Sequence, residues 1–226
     1  MIDAAVELVV AADPAAAAEA AGLELGEAAR LGGHIALAGG STPRLAYELA
    51  ARERPDWSSV ELWWGDERCV SPDDPRSNFH MVQESLLGRI EVQPAAVHRI
   101  RGELGGAEAA ERYDAELGGV RLGFVLLGLG VDGHTASLFP GDAALGERER
   151  LAVAVARADV ERVTLTLPAL NAAARILFLA VGADKAEAAE RAFSPSADPA
   201  TPASLVRAAG GRTVVVLDEA AAARLR

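Results

Sequence analysis

The feature that most constrains this fold is a short apolar run that ends abruptly in glycines, an aspartate and a histidine. Residues 124–129 read FVLLGL, and the chain continues as GVDGH. A run this short that is apolar on both faces is typical of a strand in the buried centre of a parallel sheet. Open α/β sheets bind ligands beyond the carboxyl ends of such strands. Asp132 and His134 are therefore predicted to lie where chemistry can take place.

The same residues also have plainer interpretations. Asp132 with the glycine after it is a common turn pair, and His134 could begin a helix without any further task. Gly128, Gly130 and Gly133 match the dinucleotide fingerprint G-x-G-x-x-G. That fingerprint needs a helix running on from its third glycine, but a Pro-Gly pair at 140–141 leaves room for barely two turns. We therefore expect no nucleotide cofactor here.

Other apolar runs alternate with segments of helical composition, which predicts an α/β fold with a mainly parallel, Rossmann-like sheet wrapped by helices on both faces. Further strands are expected at 6–10, 35–38, 60–64, 176–181 and 213–217. Helices are expected at 14–31, from 42 onwards, at 79–87, 105–118, 182–193 and 204–209, and at the C-terminus. The segments 151–156 and 162–167 alternate apolar and polar residues, so they are predicted to form a small antiparallel pair.

A glycine-rich turn lies between the predicted strand 35–38 and the next helix. Gly39 and Gly40 let backbone N–H groups approach a ligand closely, and Ser41 and Thr42 add hydroxyl groups. The free N–H groups and the dipole of the following helix favour a phosphate at this point. An ordinary capped helix start is the alternative, because Ser, Thr and Pro belong at helix starts and the lysine of a Walker loop is missing.

Charged residues follow the predicted strand 60–64 immediately, in the order Asp66, Glu67, Arg68. Their position after a buried strand indicates the ligand edge of the sheet. A solvated loop is the alternative, because most runs of charge are simply solvated.

The overall charge restricts the class of partner. The formal net charge is −11, which argues against nucleic acid as a partner. An anionic ligand would need a local cluster of positive groups, because the field of the whole chain repels it. Among 22 basic residues Lys185 is the one lysine, and it follows a predicted buried strand.

Several other classes are excluded by composition. The apolar runs are too short for a membrane span, so we expect no membrane partner. The N-terminus has no basic region ahead of an apolar core, so no secretory signal is expected. With a single cysteine, Cys69, the chain has no internal disulfide, and a cytoplasmic location is expected. The four histidines are far apart and show no metal-ligand spacing, so no metal is expected.

Four segments in this order resemble the glucosamine-6-phosphate isomerase/6-phosphogluconolactonase family: LAGGSTPRLAYELA, WWGDERCVSPDDPRSNFHM, LLGLGVDGHTASLFPG and RVTLTLPALNAAARILFLAVGADKAEA. The resemblance covers about residues 34–193. It implies a fold similar to glucosamine-6-phosphate deaminase and ribose-5-phosphate isomerase. The chain is long enough for one sizeable core and shows no internal repeat or long linker, so we expect a single domain over 1–226. The implied reaction is hydrolysis of 6-phospho-D-glucono-1,5-lactone to 6-phospho-D-gluconate, a step of the oxidative pentose phosphate pathway. A phosphorylated sugar lactone is thus the expected small-molecule partner, and we expect a monomer.

The resemblance also implies roles for individual residues. His134 matches the general base, and Asp132 its orienting neighbour. The backbone N–H groups of the turn 130–133 are candidates to stabilise the oxyanion. Six residues match the phosphate site: Gly39, Gly40, Ser41, Thr42, Arg68 and Lys185. Asp66, Arg76 and Asn78 match other positions of the substrate pocket.

Two other functions stay open at this point. An aminosugar-phosphate deaminase or isomerase of the same family is expected to carry a carboxylate just before the proline of the D-G-H loop, where this chain has Phe139. A non-catalytic sugar-phosphate-binding protein would keep the phosphate loop without the chemistry. The presence of both Asp132 and His134 favours the enzyme over this binding protein.

Overall fold

The computed structural model describes residues 2–54 and 56–225. Ten strands occur within these residues: β1 Val6–Ala11, β2 Gly33–Leu37, β3 Val60–Trp64, β4 Asp66–Arg68, β5 Ala96–Val97, β6 Phe124–Gly128, β7 Ala152–Val155, β8 Arg162–Leu165, β9 Arg175–Ala180 and β10 Arg212–Asp218. Six α-helices accompany them: α1 Pro14–Leu31, α2 Ser41–Glu53, α3 Asn78–Val82, α4 Gly106–Leu117, α5 Leu167–Asn171 and α6 Ala186–Ala192.

Seven strands form one parallel sheet in the order β1-β10-β9-β6-β2-β3-β5. Strand β6 lies in the middle, with four of its five residues buried, between β9 and β2. The prediction of a central parallel strand at this position is confirmed. Because the strands are parallel, the loops after β2, β6 and β9 meet at one edge of the sheet.

The predicted antiparallel pair is confirmed as β7 and β8, and a third strand extends it. Residues 66–68, for which no strand was predicted, form β4 and pair with β8. The chain leaves the large sheet at Gly65, whose N–H donates to Leu37 (2.8 Å) while its carbonyl accepts from Leu165 (2.8 Å). The small sheet therefore begins directly at the carboxyl edge of the large one.

The helices mostly begin where the sequence predicts. Asp13 caps α1 by accepting from the N–H of Ala16 at 2.8 Å. The predicted helix 79–87 begins one residue earlier and continues after Val82 as the π-helical turn Gln83–Leu87. The predicted helix 182–193 begins with a 3₁₀ turn, Ala183–Lys185, ahead of α6.

Two predictions near the C-terminus are wrong. The expected helix 204–209 is only the 3₁₀ turn Pro202–Leu205, because the next N–H groups bond elsewhere. Those of Arg207 and Ala209 donate to the side-chain oxygen and the carbonyl of Asn171, both at 2.8 Å. Turns replace the expected terminal helix after β10.

Two buried tyrosines fix strand ends that border the ligand edge. The hydroxyl of Tyr47 on α2 accepts from the N–H of Ala38 (2.8 Å) and donates to its carbonyl (2.7 Å). Tyr113 on α4 makes the same pair of contacts with Trp64 at 2.7 and 3.0 Å. Buried hydroxyls that both donate and accept hold these chain segments in place, and the loop that follows Ala38 is fixed with them.

No helix within the described residues is both long and apolar enough to cross a bilayer.

Candidate active site

A cavity of about 290 Å³ opens at the carboxyl ends of β2, β6 and β9. The loops after these three strands form most of its wall, and strands β4 and β8 of the small sheet close it. Its polar lining includes Ser41, Thr42, Asp66, Arg68, Asn78, His134, Thr135, Arg162 and Lys185. Most of the residues that the sequence singled out therefore lie around one space.

The glycine-rich loop Gly39–Thr42 forms one wall, and α2 begins within it. The residue before the helix, Gly40, has φ of 115°, a conformation that favours glycine. No side chain among the described residues caps this helix, in contrast to α1 with its Asp13 cap. The first N–H groups of α2 therefore have no intrahelical partner at the end that faces the cavity, which suits an anion.

Gly39 is required because the side chain of Asn78 approaches it closely. A Cβ at position 39 would lie 1.9 Å from Oδ1 of Asn78. The buried Asn78 side chain donates from Nδ2 to the carbonyl of Asp66 (2.8 Å) and to its Oδ1 (3.1 Å). Asn78 thereby joins the glycine-rich loop to β4.

Asp66 is buried and both of its carboxylate oxygens accept hydrogen bonds. Oδ1 accepts from Asn78, and Oδ2 accepts from the hydroxyl of Ser137 at 2.6 Å. Ser137 lies in the loop after β6, where Ala136 has φ of 47°. Such a conformation is strained for a residue other than glycine and is found at functional sites. Asp66 thus ties the loop that carries His134 to the small sheet.

His134 and Asp132 form a hydrogen-bonded pair at the rim of the cavity. Nδ1 of His134 lies 2.6 Å from Oδ1 of Asp132, which also accepts from the His134 backbone N–H at 3.1 Å. Burial raises the pKa of the Asp132 carboxyl, but the hydrogen bonds from His134 outweigh it and hold the pKa below its usual value. An ionised carboxylate only accepts, so in the neutral imidazole Nδ1 carries the proton and Nε2 has the free lone pair.

Two neighbours restrict the imidazole ring of His134. A Cβ at Gly130 would lie 2.0 Å from Nδ1, so only glycine leaves room for the ring here. The ring of the buried Phe139 lies 4.5 Å from the imidazole, centroid to centroid. The guanidinium of Arg157 covers the Phe139 ring at 3.9 Å from its centroid. The position of the His134 imidazole is therefore fixed by packing as well as by Asp132.

The expectation that N–H groups of the turn 130–133 are available to an oxyanion is wrong for two of them. The N–H of Gly130 donates to the carbonyl of His134 (2.8 Å), and that of Gly133 donates to the carbonyl of Gly130 (3.0 Å). Both groups are used to close the turn itself. No helix follows Gly133, so the dinucleotide fingerprint at 128–133 lacks the element that it requires.

The cations predicted for the phosphate site lie on different walls. Lys185 lies in the 3₁₀ turn after β9, with its side chain 25% exposed and Nζ 3.6 Å from Asp184. Arg68 is the last residue of β4 and lines the cavity. The structure does not bring Arg76 into the cavity. Its guanidinium pairs with Asp74 at 2.8 Å on the surface, and only its carbonyl contacts Arg68.

The sequence analysis missed Arg162, which also lines the cavity. It was treated only as the first residue of an alternating strand. A signal was present, because Arg162 lies on the same face of this strand as Thr164 and Thr166, the polar face of the alternating segment. Within the described residues, no group of three His, Cys, Asp or Glu side chains is arranged to hold a metal ion.

The chain is similar to known proteins in both sequence and fold. The family model described as glucosamine-6-phosphate isomerases/6-phosphogluconolactonase matches residues 7–215. A 6-phosphogluconolactonase from Nostoc sp. is 38% identical over 201 residues, covering 84% of both chains. The human 6-phosphogluconolactonase is 37% identical over 203 residues, covering 83% of this chain and 79% of the human one.

Solved structures agree with these matches. The 6-phosphogluconolactonase of Trypanosoma brucei superposes with a TM-score of 0.85 at 28% identity, covering 97% of this chain and 98% of the other. A monomeric glucosamine-6-phosphate deaminase also superposes, with a TM-score of 0.83 at 20% identity, covering 96% and 99%. The deaminase therefore has the same fold as this chain, and an identity of 20% supports no conclusion about a shared activity.

Proposed function

The chain belongs to the family of glucosamine-6-phosphate isomerases and 6-phosphogluconolactonases, and we infer from this that it hydrolyses 6-phospho-D-glucono-1,5-lactone to 6-phospho-D-gluconate. The enzyme is a lactonase, a carboxylic ester hydrolase of the oxidative pentose phosphate pathway. The observation that carries the chemistry is the hydrogen bond between His134 and Asp132, which leaves Nε2 of His134 as a base beside the cavity.

Catalysis begins when Nε2 of His134 takes a proton from a water molecule as its oxygen bonds to the lactone carbonyl carbon. The carbonyl oxygen becomes an oxyanion, and the imidazole becomes positively charged beside the ionised Asp132 carboxylate. When the oxyanion collapses, the bond between that carbon and the ring oxygen breaks. The ring oxygen then receives the proton from His134, so that the base returns to its starting state.

The phosphate group of the substrate determines where the lactone carbonyl lies in the cavity. The substrate phosphate is bound by the uncapped start of α2 and by the side chains of Ser41, Thr42, Arg68 and Lys185. The reacting carbonyl of the lactone then lies beside His134. Binding of the phosphate holds the lactone in one orientation, so that its carbonyl carbon faces the attacking water. This orientation alone lowers the entropic part of the activation barrier. Asp66 and Asn78 hold the two loops together and are assigned to the substrate pocket on that basis.

Phe139 favours the lactonase over the aminosugar-phosphate deaminase. It occupies the position before Pro140 where the deaminase is expected to carry a carboxylate, and it is buried against His134. An apolar ring there cannot assist opening of a sugar ring by proton transfer.

The setting of the activity is also part of this proposal. We place the enzyme in the cytoplasm as a single-domain monomer. The half-buried Cys69, whose thiol pKa burial raises to about 11, fits a reducing compartment without a reactive thiol.

Replacement of His134 by Ala tests the proposal. We expect kcat for the phosphorylated lactone to fall about 10²- to 10⁴-fold, the usual contribution of a general base. The affinity for 6-phosphogluconate should stay unchanged, since the phosphate contacts lie elsewhere. His80→Ala is the matched control, because His80 lies on α3, 3.6 Å from Glu84 and outside the cavity lining. Near-full turnover by His134→Ala would remove His134 from the mechanism.

A further inference from the structure

Arg68 and Arg162 face each other directly across the small sheet. Strands β4 and β8 run antiparallel with the pairs Asp66–Thr164, Glu67–Val163 and Arg68–Arg162. Directly opposed residues point to the same face with their Cβ atoms about 5 Å apart, and like charges in such a pair destabilise the sheet. Both arginines line the cavity. The fold therefore places two positive charges side by side at a cost.

The protein neutralises this pair only in part. Arg162 pairs with Asp159 at 2.8 Å, but the Asp159 side chain is 62% exposed, and such surface pairs contribute little. Arg68 donates from one nitrogen to the carbonyl of Arg76, which carries no charge. Among the described residues, Nε of Arg68 and Nε of Arg162 are buried without a hydrogen-bond partner. Buried donors of this kind require an acceptor from elsewhere.

Asp66, the carboxylate that precedes Arg68 on the same face of β4, is engaged by other groups. Asp66 lies two residues before Arg68 on β4, so its side chain points to the same side. Its two oxygens accept from Asn78 and Ser137. Glu67, between them, points to the other face, where it accepts from the N–H groups that begin α3. These two carboxylates are thus engaged by other groups, and an anion in the cavity can supply the acceptor that Arg68 and Arg162 lack.

We propose that Arg68 and Arg162 together form a two-arginine clamp on the phosphate dianion of the substrate, with Arg162 as a specificity-determining residue. This rests on the proposed function. Each guanidinium is a planar fork that matches two phosphate oxygens, and two forks side by side supply close to two positive charges. A chain with a net charge of −11 needs such a local concentration of charge to hold a dianion.

Phe139 connects this clamp to the base. The Arg162 guanidinium carbon lies 5.4 Å from the Phe139 ring centroid, and the same ring contacts His134. One rigid side chain thus stands beside both the phosphate-binding arginine and the general base. The distance between the bound phosphate and the reacting carbonyl is thereby held constant, which is what orientation of a bound substrate requires.

The test compares Arg162→Gln, Arg162→Lys and the matched control Arg175→Gln. Arg175 also begins a strand, is 22% exposed and pairs with one carboxylate, Glu24, outside the cavity lining. We expect Arg162→Gln to raise the KM for the phosphorylated lactone, and the inhibition constant of inorganic phosphate, by about 10- to 100-fold, as for the loss of a charge-assisted hydrogen bond. The kcat, and turnover of unphosphorylated gluconolactone, should be unchanged. Arg162→Lys keeps the positive charge but lacks the planar guanidinium, so its KM and its phosphate inhibition constant should lie between those of the wild type and Arg162→Gln.

Other outcomes overturn the clamp. A fall in the kcat of Arg162→Gln on both lactones would show that Arg162 acts on the lactone carbonyl. An unchanged inhibition constant for inorganic phosphate would show that Arg162 does not bind the phosphate. In the double variant Arg68→Gln/Arg162→Gln, the two effects on phosphate inhibition should not add, because both side chains bind one anion. Strict additivity would contradict a shared ligand. If Arg162→Gln does not fold, the inhibition constant of inorganic phosphate for Arg162→Lys provides the test. An increase supports the clamp, and an unchanged value contradicts it.

Titration with inorganic phosphate separates this proposal from the reaction. If the wild-type protein hydrolyses no lactone but loses phosphate affinity on Arg162→Gln, the proposed function fails and the clamp stands. If hydrolysis is normal and phosphate affinity is indifferent to Arg162, the clamp fails and the function stands.

Discussion

At the scale of single residues, one hydrogen bond decides which nitrogen of His134 can act as a base. Asp132 accepts from Nδ1 and from the backbone N–H of the same residue, so the proton stays on Nδ1 and the ring cannot rotate freely. Gly130 leaves room for this arrangement, since any Cβ there would overlap the ring. The proposed base and its proposed orienting group therefore form one local unit.

Asp132→Asn should show how much of the activity depends on the orientation of His134, because the histidine itself is still present in this variant. The amide can offer an N–H to Nδ1, which favours the tautomer with the proton on Nε2 and leaves no base towards the substrate. We expect kcat to fall about 10²- to 10⁴-fold with unchanged affinity for 6-phosphogluconate. Steady-state kinetics and a product titration check this. An Asn variant with wild-type turnover would show that Asp132 is only a turn residue.

The same variant gives a check that does not depend on activity. The folded-state pKa of Asp132 is lowered, so its contribution to stability is present above the unfolded pKa of about 3.9 and is lost as pH falls through the folded value. The melting temperature of the wild type should therefore fall more steeply than that of Asp132→Asn below about pH 4. Parallel curves would mean that the pair with His134 does not form.

Lys185→Ala should act on the phosphate end of the substrate. Among the described residues, the carboxylate within 4 Å of Nζ is that of the exposed Asp184, at 3.6 Å, and the Lys185 side chain lines the cavity. We expect a higher KM for the phosphorylated lactone and little change on unphosphorylated gluconolactone, because only the former carries the anion that Lys185 binds. Measuring both KM values is sufficient. Equal losses on the two substrates would assign Lys185 to the carbonyl or to the fold.

At the scale of elements, each wall of the cavity is held by a buried group one or more elements away. Asp218, the last residue of β10, is 3% exposed, and its oxygens accept from the N–H of Gly182 at 3.0 and 3.1 Å. Gly182 has φ of 98° and begins the turn that carries Lys185. The carboxylate of Asp218 therefore sets the position of Lys185 without touching the cavity.

Asp218→Ala should consequently raise the KM for the phosphorylated lactone more than it lowers kcat. Loss of a buried acceptor for the Gly182 and Ala221 N–H groups should also cost about 1–3 kcal/mol of unfolding free energy. Asp218→Asn keeps one acceptor oxygen and should restore most of the KM. In a Lys185→Ala background, Asp218→Ala should add no further rise in KM. A full additional rise would show that Asp218 acts on something other than Lys185.

Asp114→Ala is the matched control for that experiment. Asp114 accepts from the backbone N–H groups of Leu151 and Ala152 at 2.6 and 3.2 Å, outside the cavity lining. Its loss should lower stability in the same way and leave both KM values unchanged.

The elements differ in how far the sequence could predict them. The central strand and the glycine-rich loop were predicted because their signals are local: an unbroken apolar run, and glycines before a helix start. Strand β4 and the two-residue strand Ala96–Val97 were not predicted, because they exist only through pairing with β8 and β3. The role of Arg162 depends on facing Arg68, and sequence distance hides such a pair.

At the scale of the whole molecule, the parallel sheet explains why distant motifs meet. The loops after β2, β6 and β9 come together because these three strands are adjacent and point the same way, although they are far apart in the sequence. The small antiparallel sheet adds the two arginines from the side. The resulting positive site lies on a chain whose net charge is −11, so its attraction for a phosphate is local to the cavity.

The central claim, that this site hydrolyses a phosphorylated lactone, is tested most directly by offering the purified protein two substrates, 6-phosphogluconolactone and glucosamine 6-phosphate, with and without EDTA. Acid release from the lactone is followed against its spontaneous hydrolysis, and ammonia release from the aminosugar phosphate is measured in parallel. We expect accelerated lactone hydrolysis that EDTA leaves unchanged, because His134 and Asp132 supply the base, and no ammonia, because Phe139 replaces the carboxylate expected for that reaction. Ammonia release, or a lactone rate that EDTA abolishes, would contradict the account.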